Sequence, residues 1–312
     1  MHTTEKVLPQ TRGLLSSHPA AGKGRKPSER IAPYLLLLPP LLFLLSVIGY
    51  PLCYAVGLSV TNEKTKQFVG LHNFIRAMGD PQFSDALRAI AIYVVIVIAT
   101  EFVLGLLLAL LMTRYVKSGL IKSVFYSLFL MPLVTPPVAA GVLFRLMYTP
   151  SYGVVNYLLQ ALGLIHGDIL WLTNPTLAMF SVMSVDVWQW TPFVFFVFYA
   201  GFQAVPLDAI EAAKVDGAST WQIFRHVELS YLKPLMLLVV LFRFADTFQV
   251  FDHVMVLTQG GPGRVTQFLS VYLYKVAFKF LNLNYAAAIA FFIILVAGII
   301  FWGLNRLMRR AG

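Results

Sequence analysis

The chain has 312 residues, 58% of them hydrophobic and 12% charged, with a formal net charge of +10. A soluble domain carries roughly a quarter charged residues, and here the apolar residues fall in long runs, so an ordinary soluble globular protein is excluded. Cys53 is the single cysteine, which rules out an internal disulfide and any Cys-rich metal or cluster site.

In chain order, residues 1–30 are polar, hold six Lys or Arg, and read as a flexible basic cytoplasmic tail. The apolar run over residues 31–60 outlasts the core of a signal peptide and reads as an uncleaved first span. Pro51 predicts a kink in it. Further spans are predicted over about 87–113, 122–146, 176–202, 232–257 and 285–307, each long enough to cross the hydrocarbon. Segment 153–172 is interrupted by Gly163, His166, Gly167 and Asp168, and predicts an external helix near the interface.

Charge sets the orientation. With six spans and both ends inside, the cytoplasmic segments hold the six basic residues of the tail together with Arg114, Lys117, Lys122, Lys214, Arg225, Lys233, Arg306, Arg309 and Arg310. The external segments hold fewer, and residues 147–175 hold none. The positive-inside rule favours this arrangement over seven spans. The same rule accounts for the basic balance. No basic helix, zinc spacing or aromatic RNA motif accompanies it, so no nucleic-acid partner is expected.

The cytoplasmic loop between the fourth and fifth spans, residues 203–231, is the most informative stretch. Pro206 precedes a short helical run over 207–215, and Gly217 breaks it. Ser219 opens a second helix with Gln222 three residues on, a capping-box spacing. Ala212, Ala213 and Ala218 leave little bulk at the turn, and Trp221, Ile223 and Phe224 offer apolar contact. By helix pattern alone this could be an ordinary amphipathic connector.

The order of residues is more specific. Glu211, Ala212, Ala213, Asp216, Gly217, Ala218, Phe224 and Pro234 resemble the EAA loop of binding-protein-dependent ATP-binding-cassette importers. Ser230 stands where many members have a proline. The turn Gly260-Gly261-Pro262 after the fifth span, Tyr274 and Phe278 beyond it, Pro33-Tyr34, Leu38-Pro39, and the stretch around Trp188 and Pro192 are similar to the carbohydrate permeases of that family.

The resemblance implies an all-α integral membrane protein with six transmembrane helices, a type I importer permease (MetI-like) fold and cytoplasmic termini. It implies a multi-pass chain in the plasma membrane of a prokaryote, with a tail over 1–30 and a permease domain over 31–312. Expected partners are a second homologous permease, two ATPase subunits, an extracytoplasmic solute-binding protein, the lipid bilayer and a sugar. In that family the loop docks on the ATPase, so Glu211, Ala212, Ala213, Asp216, Gly217, Ala218, Trp221 and Phe224 become coupling candidates. No phosphate-binding G-x-x-x-x-G-K-[ST] loop occurs. The chain is therefore expected to bind no cofactor, with ATP and Mg on the partner ATPases, and to be a transport subunit without catalytic residues or a metal.

Ionisable groups within spans usually face partners or an aqueous path. The fifth span carries Arg243, Asp246 and Asp252, and the fourth carries Asp186, Trp188, Gln189, Trp190 and Phe193. Polar groups among aromatics suit a sugar, whose hydroxyls need hydrogen bonds and whose C–H face packs on rings. With the resemblance, this makes Gln189, Trp190, Phe193, Arg243, Asp246, Thr247 and Val250 the substrate candidates. Equally, Arg243 could pair with Asp186 or Asp246 only to hold helices together. Glu101, within the second span, reads as an interhelical hydrogen bond or as a proton-coupling group.

The expected cargo is a di- or oligosaccharide, moved by alternating access. The same machinery importing glycerol-phosphate or a polyol is the alternative. More distant are an ion-coupled secondary transporter using Glu101 or Asp186, and a membrane enzyme using Asp186, Asp252 and His253.

Overall fold

The computed structural model describes residues 27–311, with side-chain surroundings for 34–306. Most of the predicted tail, residues 1–26, lies outside the described residues. The regular structure described is helical, with one isolated bridge between Thr61 and Phe68. The chain divides into two compact units, Met1–Tyr54 and Ala55–Gly312.

The first unit holds α1 (Pro27–Leu44) and the start of α2 (Tyr50–Ser59), with a π-helical turn over Leu45–Gly49. The predicted distortion at Pro51 takes this form: the Tyr50 N–H reaches back five residues to the Leu45 carbonyl, just before the proline that has no N–H.

The second unit continues with α3 (His72–Met78), α4 (Pro81–Tyr115), α5 (Gly119–Val134), α6 (Pro137–Met147), α7 (Val154–Ala161) and α8 (Pro175–Gln203). Then come α9 (Leu207–Val215), α10 (Thr220–Gln222), α11 (Leu229–Thr247), α12 (Asp252–Leu257), α13 (Leu269–Tyr274) and α14 (Leu283–Ala311). The helix α7, within the segment 153–172, is only eight residues long, too short to cross a bilayer.

Among the described residues, three helices are long and apolar enough to span a membrane: Tyr34–Ser59, Pro81–Tyr115 and Leu283–Arg306. Two bent pairs, α5 with α6 and α8 with α9, raise the number to five if each pair is one span. The predicted third span, 122–146, is not one rod. It bends by 100° between α5 and α6. Thr135 precedes Pro136 and Pro137, and a residue before proline is pushed out of the helical region; Thr135 sits extended at ψ 124°. The predicted fifth span, 232–257, also stops short. Its helix α11 ends at Thr247, and α12 restarts at Asp252. Lys233, Arg243 and Asp246 put three charges on α11, so it is less plainly apolar than α4 or α14.

Small residues bring these helices close. A Cβ on Gly105 of α4 would lie 2.6 Å from Val194 Cγ1 and 3.0 Å from the Phe195 backbone nitrogen of α8. A Cβ on Gly201 of α8 would lie 2.6 Å from Leu235 of α11, and one on Gly141 of α6 would lie 3.1 Å from the His253 Cα of α12. Such small-residue contacts are how membrane helices gain packing when lipid supplies no hydrophobic drive. The core falls into two apolar clusters, one around Tyr93, Val182 and Phe268, the other around Phe195, Phe198 and Leu232.

One end of the second unit is tied by polar contacts. Asp80 caps α4 by accepting from the Gln82 N–H at 2.8 Å, and also accepts from the Tyr272 and Tyr285 hydroxyls. Partial burial raises the Asp80 pKa, but these hydrogen bonds outweigh it and hold the carboxyl below its usual range. Asn284 Nδ2 donates to the Leu58 and Thr61 carbonyls, fastening the start of α14 to the end of α2.

Candidate functional site

The loop over 203–231 folds as its residues dictate. Pro206 precedes α9, and Gly217 adopts φ +79°, a conformation that only glycine reaches without strain. Ser219 Oγ accepts from the Gln222 N–H at 3.3 Å, and the Ser219 N–H donates to Gln222 Oε1 at 2.7 Å. Both halves of the capping box are therefore present. Ser230 continues into the helix and donates its hydroxyl to the His226 carbonyl at 2.8 Å.

Glu211, Ala212, Asp216, Gly217 and Trp221 are exposed, and Ala213 and Ala218 are half-buried. Ile223 and Phe224 differ from the expectation: they are buried in the chain's own core and offer no outer surface. The expectation missed Leu207 and Val215, which are exposed at the two ends of α9. A nine-residue helix with apolar residues at both ends carries no periodic signal that separates an inward from an outward face.

Phe224 has another role. The Arg114 guanidinium, at the end of α4, lies 5.7 Å from the centre of its ring, and Arg114 pairs with Glu228 at 2.9 Å. The second half of the loop is thereby fastened to the longest helix. Lys122, at the start of α5, lies over the Tyr199 ring near the end of α8, so basic residues gather at this end of the unit.

A cavity of about 190 Å³ opens where the broken helices meet α8. Its lining includes Pro137 from α6, Asp186, Gln189 and Trp190 from α8, and Asp246, Thr247, Val250, Asp252 and His253 around the gap between α11 and α12. The break in the α5–α6 pair is satisfied from α8: Gln189 Nε2 donates to the Thr135 carbonyl at 2.7 Å. A broken helix in a membrane protein is tolerated where protein groups satisfy it or where it borders a cavity; here Gln189 satisfies the break at Thr135, and the cavity borders the gap between α11 and α12.

Five of the seven substrate candidates, Gln189, Trp190, Asp246, Thr247 and Val250, border this cavity. Two lie behind it. Phe193 packs on Trp190 and on Phe242, with ring centres 6.0 and 4.8 Å away. Arg243 has no exposed side-chain surface and sits under the Trp190 ring, 4.6 Å from its centre.

Arg243 is the hub of an ion network. Its Nε and Nη2 donate to both oxygens of Glu101 at 2.6 and 2.8 Å, Nη2 also to Asp186 at 3.0 Å, and Nη1 to Asp246 at 2.5 Å. The network joins α4, α8 and α11. Glu101 is as buried as Arg243, so it stands as an interhelical tie with both oxygens engaged. Asp186 accepts a further hydrogen bond from the Tyr93 hydroxyl at 2.8 Å, and that hydroxyl lies 3.2 Å from His253 Nε2. Tyr93 was not anticipated; its only signal is a phenol within an apolar run, and a buried phenol needs a polar partner.

Residues 101–311 match the family described as binding-protein-dependent transport system inner membrane component. The probable ABC transporter permease protein y4oQ of Sinorhizobium fredii is 35% identical over 280 residues, covering 86% of this chain and 88% of that protein. The trehalose/maltose transport system permease protein MalF of Thermococcus litoralis is 34% identical over 255 residues, covering 80% and 83%. Among solved structures, a bacterial alginate ABC transporter in complex with an alginate pentasaccharide-bound periplasmic protein aligns with a TM-score of 0.79 at 25% identity, covering 91% of this chain and 96% of that one. With the matched segment spanning the ion network, the cavity and the capped loop, this chain belongs to the family of inner membrane components of binding-protein-dependent transport systems, the permease subunits of ABC importers.

Proposed function

We propose that this chain is one of two permease subunits of a sugar importer in a prokaryotic plasma membrane. In this reading it crosses the membrane six times with both ends in the cytoplasm. A second, similar permease completes the pathway, two ATPase subunits bind below, and a solute-binding protein delivers a di- or oligosaccharide from outside. ATP and Mg act on the ATPases. This chain supplies a path and a mechanical linkage, and no bond chemistry.

The observation that carries the proposal is the loop over 203–231. Two short helices joined at Gly217 leave Glu211, Val215 and Trp221 exposed at the end of the unit where Arg114 and Lys122 also lie. Clustered basic residues favour the cytoplasmic side, where an ATPase stands. The exposed apolar side chains need a covering surface, and Arg114 links the covered loop to α4. Movement of the loop would then shift α4 against α8 and α11, the helices that the Arg243 network joins beside the cavity. That is the coupling alternating access requires. The sugar cargo draws support from the trehalose/maltose relative and from a cavity with an aromatic ring among hydrogen-bonding groups.

The test uses the assembled importer in proteoliposomes. Gly217→Pro forces a φ near −65° where the chain needs +79°, and Glu211→Lys reverses the exposed charge. Both variants are expected to insert normally and to lose ATP-driven uptake. Uptake at the wild-type rate by either one overturns the coupling role.

A further inference from the structure

We infer, building on the importer reading, that this chain's half of the pathway takes a neutral, hydroxyl-rich saccharide and excludes ligands carrying a carboxylate or phosphate. The inference rests on which charges reach the cavity. Three carboxylates border it, Asp186, Asp246 and Asp252, and among the described residues no Lys or Arg does. Arg243, just behind the cavity, is sealed off: Trp190 covers its guanidinium, and Glu101, Asp186 and Asp246 hold its donors. One guanidinium against three carboxylates leaves this network formally anionic, and Asp252 adds to it. A ligand entering the cavity therefore meets acceptors and negative charge, never the arginine.

A second observation points to a ligand with its own hydrogen-bonding groups. Thr247 borders the cavity and is 1% exposed, and its buried hydroxyl has no hydrogen-bond partner. An orphaned buried hydroxyl is costly unless something satisfies it. Asp246 turns a side chain that is 43% exposed toward the same space. Asp246 supplies exposed acceptors suited to sugar hydroxyls, and Thr247 an unpartnered hydroxyl in the wall behind them. The volume, about 190 Å³, corresponds to roughly six waters, about the room of one hexose unit.

An anionic group held about 8 Å from a single uncompensated carboxylate, at an effective permittivity of about 20, binds roughly thirtyfold more weakly than a neutral one. The shared fold with the alginate importer does not bear on this, since a fold does not determine the charge of its lining.

The test measures binding by isothermal titration calorimetry to the assembled importer in nanodiscs, held with a non-hydrolysable ATP analogue and without the solute-binding protein, so that its selectivity does not enter. The probes are maltose and the same disaccharide with a C6 carboxylate in place of one hydroxymethyl group. Maltose is expected to bind at least tenfold more tightly, and Asp246→Asn with Asp252→Asn is expected to narrow that ratio to about threefold or less. Equal or tighter binding of the carboxylate by the unmodified complex overturns the inference, as does an unchanged ratio in the double variant. Binding of neither sugar also overturns it. If in that case ATP hydrolysis is still stimulated by the solute-binding protein, the importer reading survives without it.

Discussion

Replacing Arg243 by Met keeps much of the side chain's length and removes its charge at a site with no solvent access. Three carboxylates lose their partner at once. Asp246 is partly exposed and can turn toward the cavity, but Glu101 and Asp186 are 0% and 3% exposed and cannot. Breaking a buried pair from one side costs about 3–5 kcal/mol, and stranding two carboxylates places Arg243→Met at the upper end of that range or above it. Glu101→Gln is the control. It leaves Arg243 paired with Asp186 and Asp246 and lowers the excess negative charge, so its cost is about 1–3 kcal/mol, that of one imperfect buried hydrogen bond. The assay is the yield of monodisperse protein after detergent extraction, followed by its thermal unfolding. Arg243→Met is expected to be markedly depleted and to melt well below Glu101→Gln. If Arg243→Met matches the wild type in yield and melting temperature but no longer responds to sugar, the network is not a helix tie, and Arg243 acts on the ligand instead.

Two further outcomes are expected. Gly105→Leu places atoms inside the α4–α8 contact, where even a Cβ lies 2.6 Å from Val194 Cγ1 and 3.0 Å from backbone; it should reduce folded protein several-fold by the same extraction assay, while Leu104→Ala, at an exposed neighbour, should not. Arg114→Ala removes a partly exposed pair worth up to about 1 kcal/mol, so yield should stay near wild type. Uptake per ATP hydrolysed should nevertheless fall several-fold, with partial recovery in Arg114→Lys, and unchanged coupling in both variants would detach α4 from the loop.

Legibility from sequence followed the range of the interactions involved. The helix 207–215, the break at Gly217 and the Ser219–Gln222 box depend on residues at most four apart, and each stands in the structure where local chemistry placed it. Long apolar runs likewise marked α4, α8 and α14 to within a few residues at their predicted ends, apart from the N-terminal extension of α4 to Pro81. The burial of Phe224, by contrast, rests on an apolar cluster that includes Met112, more than a hundred residues earlier, and no local pattern reports it.

Composition and run length determine by themselves that this is a helical membrane chain, because the bilayer acts on each segment separately, and the residue order over 203–231 marks the loop. Only the tertiary structure decides that Arg243 faces Glu101, 142 positions away in sequence, and is hidden beneath Trp190 instead of lining the cavity. It also decides that the runs over 122–146 and 232–257 break beside that cavity. The physical reason is shared: a buried charge and an interrupted helix both need hydrogen-bond partners, and those partners come from other helices.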